Sequence, residues 1–118
     1  MVERIIAGGL GFATARRIAL ALPGVVEGIA YSTPAFRVAD KIVARLKEDG
    51  VTLAVKVSFE EREILIAMEP EIYFLTDHYR PNPMMLVALE RIGAAALQRV
   101  LEQAWRQVAP KKLLKAGL

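Results

Sequence analysis

A chain of 118 residues suits one domain and leaves little room for two, and 54% hydrophobic against 25% charged residues excludes a disordered chain. A net charge of +3 is compatible with an acidic partner but far from a histone-like excess. With no cysteine and one histidine, disulfides, thiolate catalysis and cysteine or multi-histidine metal sites within the chain are excluded. The carboxylates show no clustered spacing suited to magnesium or calcium, so neither a metal nor a cofactor is expected. The absence of cysteine fits a reducing cytoplasm.

Residues 1–12 read as a flexible leader and 13–116 as a single domain. The apolar stretch IIAGGLGFATA is only eleven residues long, too short for a membrane span of about 20. Arg16-Arg17 is followed by an apolar run too short for an export signal. GGLGF lacks the third glycine and the βαβ unit of a dinucleotide fingerprint. Thr14 to Leu22 predicts a helix, stopped by Pro23-Gly24. YSTP, ending at Pro34, is extended or a turn.

Three strands follow, Ala35 to Val38, Lys41 to Lys47 and Val51 to Val57. Asp49-Gly50 predicts a tight two-residue turn with positive φ at both central positions. That turn sets Leu46 opposite Leu53, Ala44 opposite Val55 and Ile42 opposite Val57, an apolar face. The other face carries Val43, Arg45, Lys47, Thr52, Ala54 and Lys56. One extra loop or bulge residue near Ala39-Asp40 places Phe36 and Val38 inside and Arg37 outside. Ser58 with Glu61 is a capping box, predicting a helix from Phe59 to about Met68, with Pro70 beyond it. Ile72 to Thr76 and Met84 to Leu89 read as strands. From Gly93, the residues Leu97, Val100, Leu101, Ala104, Trp105 and Val108 form one helical stripe that Pro110 ends. Lys111 to Lys115 forms a last basic turn. The expected fold is α+β, a single antiparallel sheet with helices on one face, in the order α-β-β-β-α-β-β-α.

No motif identifies a reaction, and no catalytic residue is assigned. Ser58 is explained as a cap. Ser32 has no nucleophile-elbow glycines around it, so a triad with His78 and Asp77 or Asp40 rests on nothing but the presence of those residues. Glu60, Glu61 and Glu63 suit the start of a helix. The segment DHYRPNPMML, Asp77 to Leu86, is stiffened by Pro81 and Pro83. It reads as a rigid bend, or as a recognition loop presenting His78, Tyr79 and Asn82. The outward face gathers Arg37, Arg45, Lys47 and Lys56, with Lys41 at its edge. Such a face attracts phosphates, although lysine and arginine also keep strand faces solvated. The scattered aromatic residues offer no base-stacking ladder.

The segments LPGVVEG, YSTPAFRVADKIVARLKEDG, TLAVKV, IYFLTDHYR and AWRQVAPKKLLK, in this order, resemble the YjbR (MmcQ) family over about residues 15–116. The resemblance implies a small single-domain α+β protein with a fold similar to CyaY and to type III secretion chaperones, and a DNA-binding label. The family often carries tryptophan after the HYR-x-x-P segment, where this chain has Met84. The expected function is therefore non-enzymatic, low-specificity DNA binding through the basic sheet face, with Arg37, Lys41, Arg45, Lys47, Lys56 and Arg80 meeting phosphates. The alternative is a protein-interaction module, in which exposed apolar residues such as Val43 and Met84 carry the contact. A cytoplasmic location without membrane association is expected in either case.

Overall fold

The computed structural model describes residues 10–116. Residues 1–9 of the expected leader lie outside the described residues. The elements run α1 (Phe12–Leu20), β1 (Val26–Ala30), β2 (Thr33–Val38), β3 (Lys41–Leu46), β4 (Thr52–Lys56), α2 (Phe59–Met68), β5 (Tyr73–Phe74), β6 (Met84–Ala88), α3 (Ala94–Val108) and α4 (Lys111–Ala116). The six strands form one antiparallel sheet in the order β1-β2-β3-β4-β6-β5. The α+β class and the helix-backed sheet match the expectation. Among the described residues, no helix is long and apolar enough to cross a membrane.

The helix ends follow from local chemistry. Ser58 caps α2 by accepting from the Glu61 backbone N–H at 3.1 Å. Pro70 and Pro110 stand just beyond the ends of α2 and α3, where they cannot donate to the ladder. α1 starts two residues earlier than predicted, because Phe12 stacks on Phe36 with ring centroids 5.7 Å apart. Gly24 lies at φ +76, a conformation that favours glycine, and a Cβ there would lie 2.7 Å from Leu113 Cδ1 and force that side chain to shift.

α1 and α3 cover one face of the sheet. The predicted stripe on α3 is the centre of the core: Leu97, Leu101, Ala104 and Trp105 are fully buried against Phe36, Leu53, Val55 and Val87. Trp105 Nε1 donates to the Pro23 carbonyl at 2.7 Å, so the one polar atom of the largest core side chain is satisfied.

The strand β1 was not predicted. Its hairpin turns at Tyr31-Ser32, both with positive φ (54° and 72°), and the next hairpin turns at Ala39-Asp40 in the same way (50° and 68°). These are two-residue loops of the I′ kind built without glycine or asparagine, so the usual turn signal is missing. At the β3–β4 hairpin the predicted register holds, with Ala44 opposite Val55 and Leu46 opposite Leu53. The turn itself differs. Lys47 accepts from the Gly50 N–H at 3.0 Å, and only Gly50 has positive φ. The Asp49 carboxylate organises the loop by accepting from the Val51 and Thr52 N–H groups, both at 2.9 Å, and from the Thr52 hydroxyl at 2.7 Å.

The expected bulge is present in β3. Arg37 pairs with Ile42 but Phe36 pairs with Ala44, so Val43 is the extra residue. The bulge corrects two assignments. Val43 is fully buried in the main core and is not an outward apolar residue. Ile42 is turned to the opposite face and is half-buried there. Phe36 and Val38 are buried and Arg37 is outside, as expected.

Candidate binding site on the outer sheet face

The face opposite the helices is not bare. The loop between β5 and β6 folds over its centre, and Tyr79 packs on Ala54 and Leu86 as a second small core, with Phe74, Leu75 and Met84 around it. The sequence supplies this site in three pieces. Strand alternation turns Arg45 and Ala54 to the same side as a directly opposed pair. The rigid RPNP segment, 80–83, returns the chain after Tyr79. A third piece, Arg62 on α2, holds the loop down.

Arg62 is 8% exposed, and no carboxylate among the described residues lies within salt-bridge reach of it. Its Nη1 donates to the carbonyls of Asn82 at 2.7 Å and Met84 at 3.1 Å, with a longer contact to Tyr79 at 3.5 Å. Its Nη2 donates to the Arg80 carbonyl at 3.0 Å. One guanidinium therefore ties together the carbonyls of a loop from which two prolines remove two backbone donors, adding to the loop's own turn bonds from the Asn82 and Met84 N–H groups. The loop is a bend with a built-in anchor. Sequence reasoning missed Arg62, which sits among acidic neighbours in FEEREIL and looks like any solvated helical charge.

Arg45 is also buried, at 7% exposure. It donates to Thr33 Oγ1 at 2.7 Å and to the Tyr79 hydroxyl at 3.3 Å, reaches Glu48 at 3.5 Å, and lies under the Tyr31 ring at 5.0 Å. The expectation that Arg45 meets phosphates at the surface is corrected by this burial: its donors are turned inward. Lys47, half-buried, donates to the same Tyr79 hydroxyl at 3.1 Å and sits 3.8 Å from Glu48. Burial pushes the Tyr79 phenol up, but the hydrogen bonds and charges of Lys47 and Arg45 outweigh it and hold the group below the usual tyrosine value.

The other sequence-predicted residues divide. Arg37 is half-exposed on the outer face and runs along Gly28 of the edge strand, with Nη1 3.4 Å from where a Cβ would sit. Lys56 is half-exposed opposite Met84. Lys41 is opposite Val38, a core residue, so it belongs to the helix side of the sheet. Arg80 is exposed and 3.6 Å from Asp77. His78 is exposed and meets the Tyr79 ring edge-on at 4.8 Å, and the Asn82 amide donates to the His78 carbonyl at 3.4 Å. Met84 lines a cavity of about 330 Å³ together with Tyr31, Ile42, Lys47, His78 and Tyr79.

Comparison with known proteins places the chain. A family model described as YjbR matches residues 20–107. The uncharacterised protein Rv2570 of Mycobacterium tuberculosis and the uncharacterised protein Mb2600 of Mycobacterium bovis are each 35% identical over 79 residues, 67% of this chain and 54% of theirs. The chain thus spans about half the length of the curated relatives it matches. The crystal structure of Deinococcus radiodurans protein DR2400, which carries the domain DUF419, superposes with a TM-score of 0.75 over 96% of this chain and 88% of that one. At 21% identity that likeness shows a shared fold.

Proposed function

The chain belongs to the YjbR family, and we propose that it is a non-enzymatic binding module of the cytoplasm whose outer sheet face contacts the phosphate backbone of DNA without reading sequence. The observation that carries the reading is the state of the outer cations. Among the described residues Arg37 and Lys56 make no salt bridge, and the one made by Lys47 is a loose 3.8 Å contact with Glu48. Arg80 adds a further exposed charge at the rim. Arg45 contributes by holding the Tyr79 hydroxyl, to which Lys47 also donates. Of the two serines, Ser58 is occupied as a helix cap.

The protein-interaction reading is favoured by a different observation. The edge strand β1 and its turn expose Val26 (63%), Ile29 (66%) and Tyr31 (78%), with one side of the strand unpaired among the described residues. Salt separates the two readings. Each neutralised phosphate contributes a log–log slope of about −0.9, so three contacts weaken binding roughly forty-fold across a fourfold rise in salt. Fluorescence anisotropy of a labelled duplex, with an Arg37→Glu/Lys56→Glu variant alongside, is the test. Salt-sensitive binding lost in the variant supports the DNA reading. No binding at low salt removes it and leaves the edge strand as the working surface.

A further inference from the structure

We propose that the cavity on the outer face is a binding site for a small aromatic carboxylate. The inference can be separated from the DNA reading, because Arg37 and Lys56 do not line the cavity and Lys47 is the one outer-face cation that both readings use directly. Its volume of about 330 Å³ lies at the small end of the range of ligand sites, roughly 300–1,000 Å³.

The polar side of the cavity asks for an acceptor. Tyr79 is more than nine-tenths buried, and its hydroxyl oxygen accepts from both Lys47 and Arg45. Neither partner can accept in return, so the phenolic proton has no acceptor among the described residues. The Lys47 ammonium carries three donors, of which one goes to Tyr79. Two adjacent donors, one neutral and one cationic, suit the two oxygens of a carboxylate. The charges agree: Arg45 and Lys47 face the single carboxylate of Glu48, which leaves one positive charge for a monoanion. A dianionic phosphate would meet Glu48 with excess charge.

Apart from the exposed His78, the rest of the cavity is apolar and suits a flat body. Ile42, Ala54 and Met84 line it, and the Tyr31 ring stands at the rim. That ring is 78% exposed and is carried by a residue in left-handed backbone conformation at φ 54°. A large side chain held in such a position is costly to keep. The guanidinium of Arg45 lies 5.0 Å from its centroid, which aims the ring over the cationic side of the site. An aromatic acid can place its ring beside Tyr31 and its carboxylate on Lys47 Nζ and Tyr79 Oη.

The experiment is an amide-resolved NMR titration of the full chain with benzoate, with benzamide as its neutral isostere and phenyl phosphate as the dianion. Benzoate is expected to shift Lys47, Ala54 and Tyr79 saturably with a Kd of the order of 1 mM, near the weak end of specific binding. Benzamide should bind at least about tenfold more weakly, the loss of one charge-assisted hydrogen bond. Lys47→Met and Tyr79→Phe, which keep the stem and the ring, should each weaken benzoate by about the same factor. Met84→Trp should abolish binding by filling the cavity, while Arg37, which does not line it, stays untouched. Equal binding of benzamide, tighter binding of phenyl phosphate, or shifts that leave Lys47 and Tyr79 unmoved would each overturn the assignment. So would the absence of any saturable shift in benzoate at about ten times the expected Kd.

Discussion

Two tyrosines, Tyr73 and Tyr79, are buried on opposite faces of one sheet, and their surroundings oppose each other. Tyr73 belongs to the helix-covered core, where burial first, then the charge of Glu69, raises its phenol above the usual value. Tyr79 belongs to the outer cluster, where two cations outweigh burial and lower it. The helix face is held by apolar area that excludes water, while the outer face is held by buried guanidinium groups that satisfy oxygens. A face built in the first way has little left to offer a partner. A face built in the second way keeps donors and charge close to the surface, and there the binding residues collect.

The largest effect is expected where area alone holds the fold. Leu101→Ala, at a fully buried position on α3, should cost about 3–4 kcal/mol by lost transfer and cavity energy. It should lower the denaturation midpoint seen by every probe together. Arg62→Ala should cost somewhat less, about 2–3 kcal/mol, by removing the charged donor shared by the loop carbonyls, above all the Arg80 carbonyl. Its signature is local: amide exchange of residues 75–84 should rise before that of α3. Arg62→Lys should recover little, because an ammonium cannot fork to carbonyls as a guanidinium does. If Arg62→Ala melts both faces equally, the outer face is not a separately anchored layer.

The tyrosine contrast has its own test. In an alkaline absorbance titration, Tyr79 should ionise below and Tyr73 above the usual value of about 10. Lys47→Met should move the early phase upward and leave the late one in place. The stability signs are opposite. Tyr79, lowered in the folded state, contributes stability that is present above its unfolded pKa and is lost as pH falls through its folded one. Tyr73, raised, contributes stability that is present below the unfolded pKa and is lost as pH rises towards its folded one. Two overlapping phases in the folded protein would show that the cations do not reach Tyr79.

The same division explains what was legible beforehand. Apolar periodicity reports the helix face directly, so the α3 stripe, the Ser58 cap and the Leu46–Leu53 register were all readable. Even the bulge followed from asking which face Phe36 needs. The outer face depends on pairings that no local pattern encodes. Arg45 looks solvated on its strand until Tyr79, distant in the chain, closes over it, and Arg62 looks solvated on its helix until the loop carbonyls arrive. β1 was hidden for a different reason: VEGIA is interrupted by glycine and glutamate, and its turn residues, Tyr31 and Ser32, are poor I′ formers.

Those turns supply the smallest effect. Ala39-Asp40 and Tyr31-Ser32 both hold left-handed backbone without glycine. Replacing Ala39-Asp40 by Asn-Gly should stabilise the protein by about 1 kcal/mol, because the strained conformation becomes a favoured one. The same exchange at Tyr31-Ser32 should stabilise by a similar amount, about 1 kcal/mol, if backbone strain is all that is at stake there. The Tyr31 exchange also removes the ring over Arg45 and the rim of the cavity, so it should weaken benzoate, whereas the Ala39 exchange should not. Equal gains in thermal midpoint with unequal losses in binding would identify the Tyr31 turn as one where strain is kept for the sake of a side chain. A stability loss at Tyr31-Ser32 would mean instead that the ring's contact with Arg45 helps to hold the outer face together.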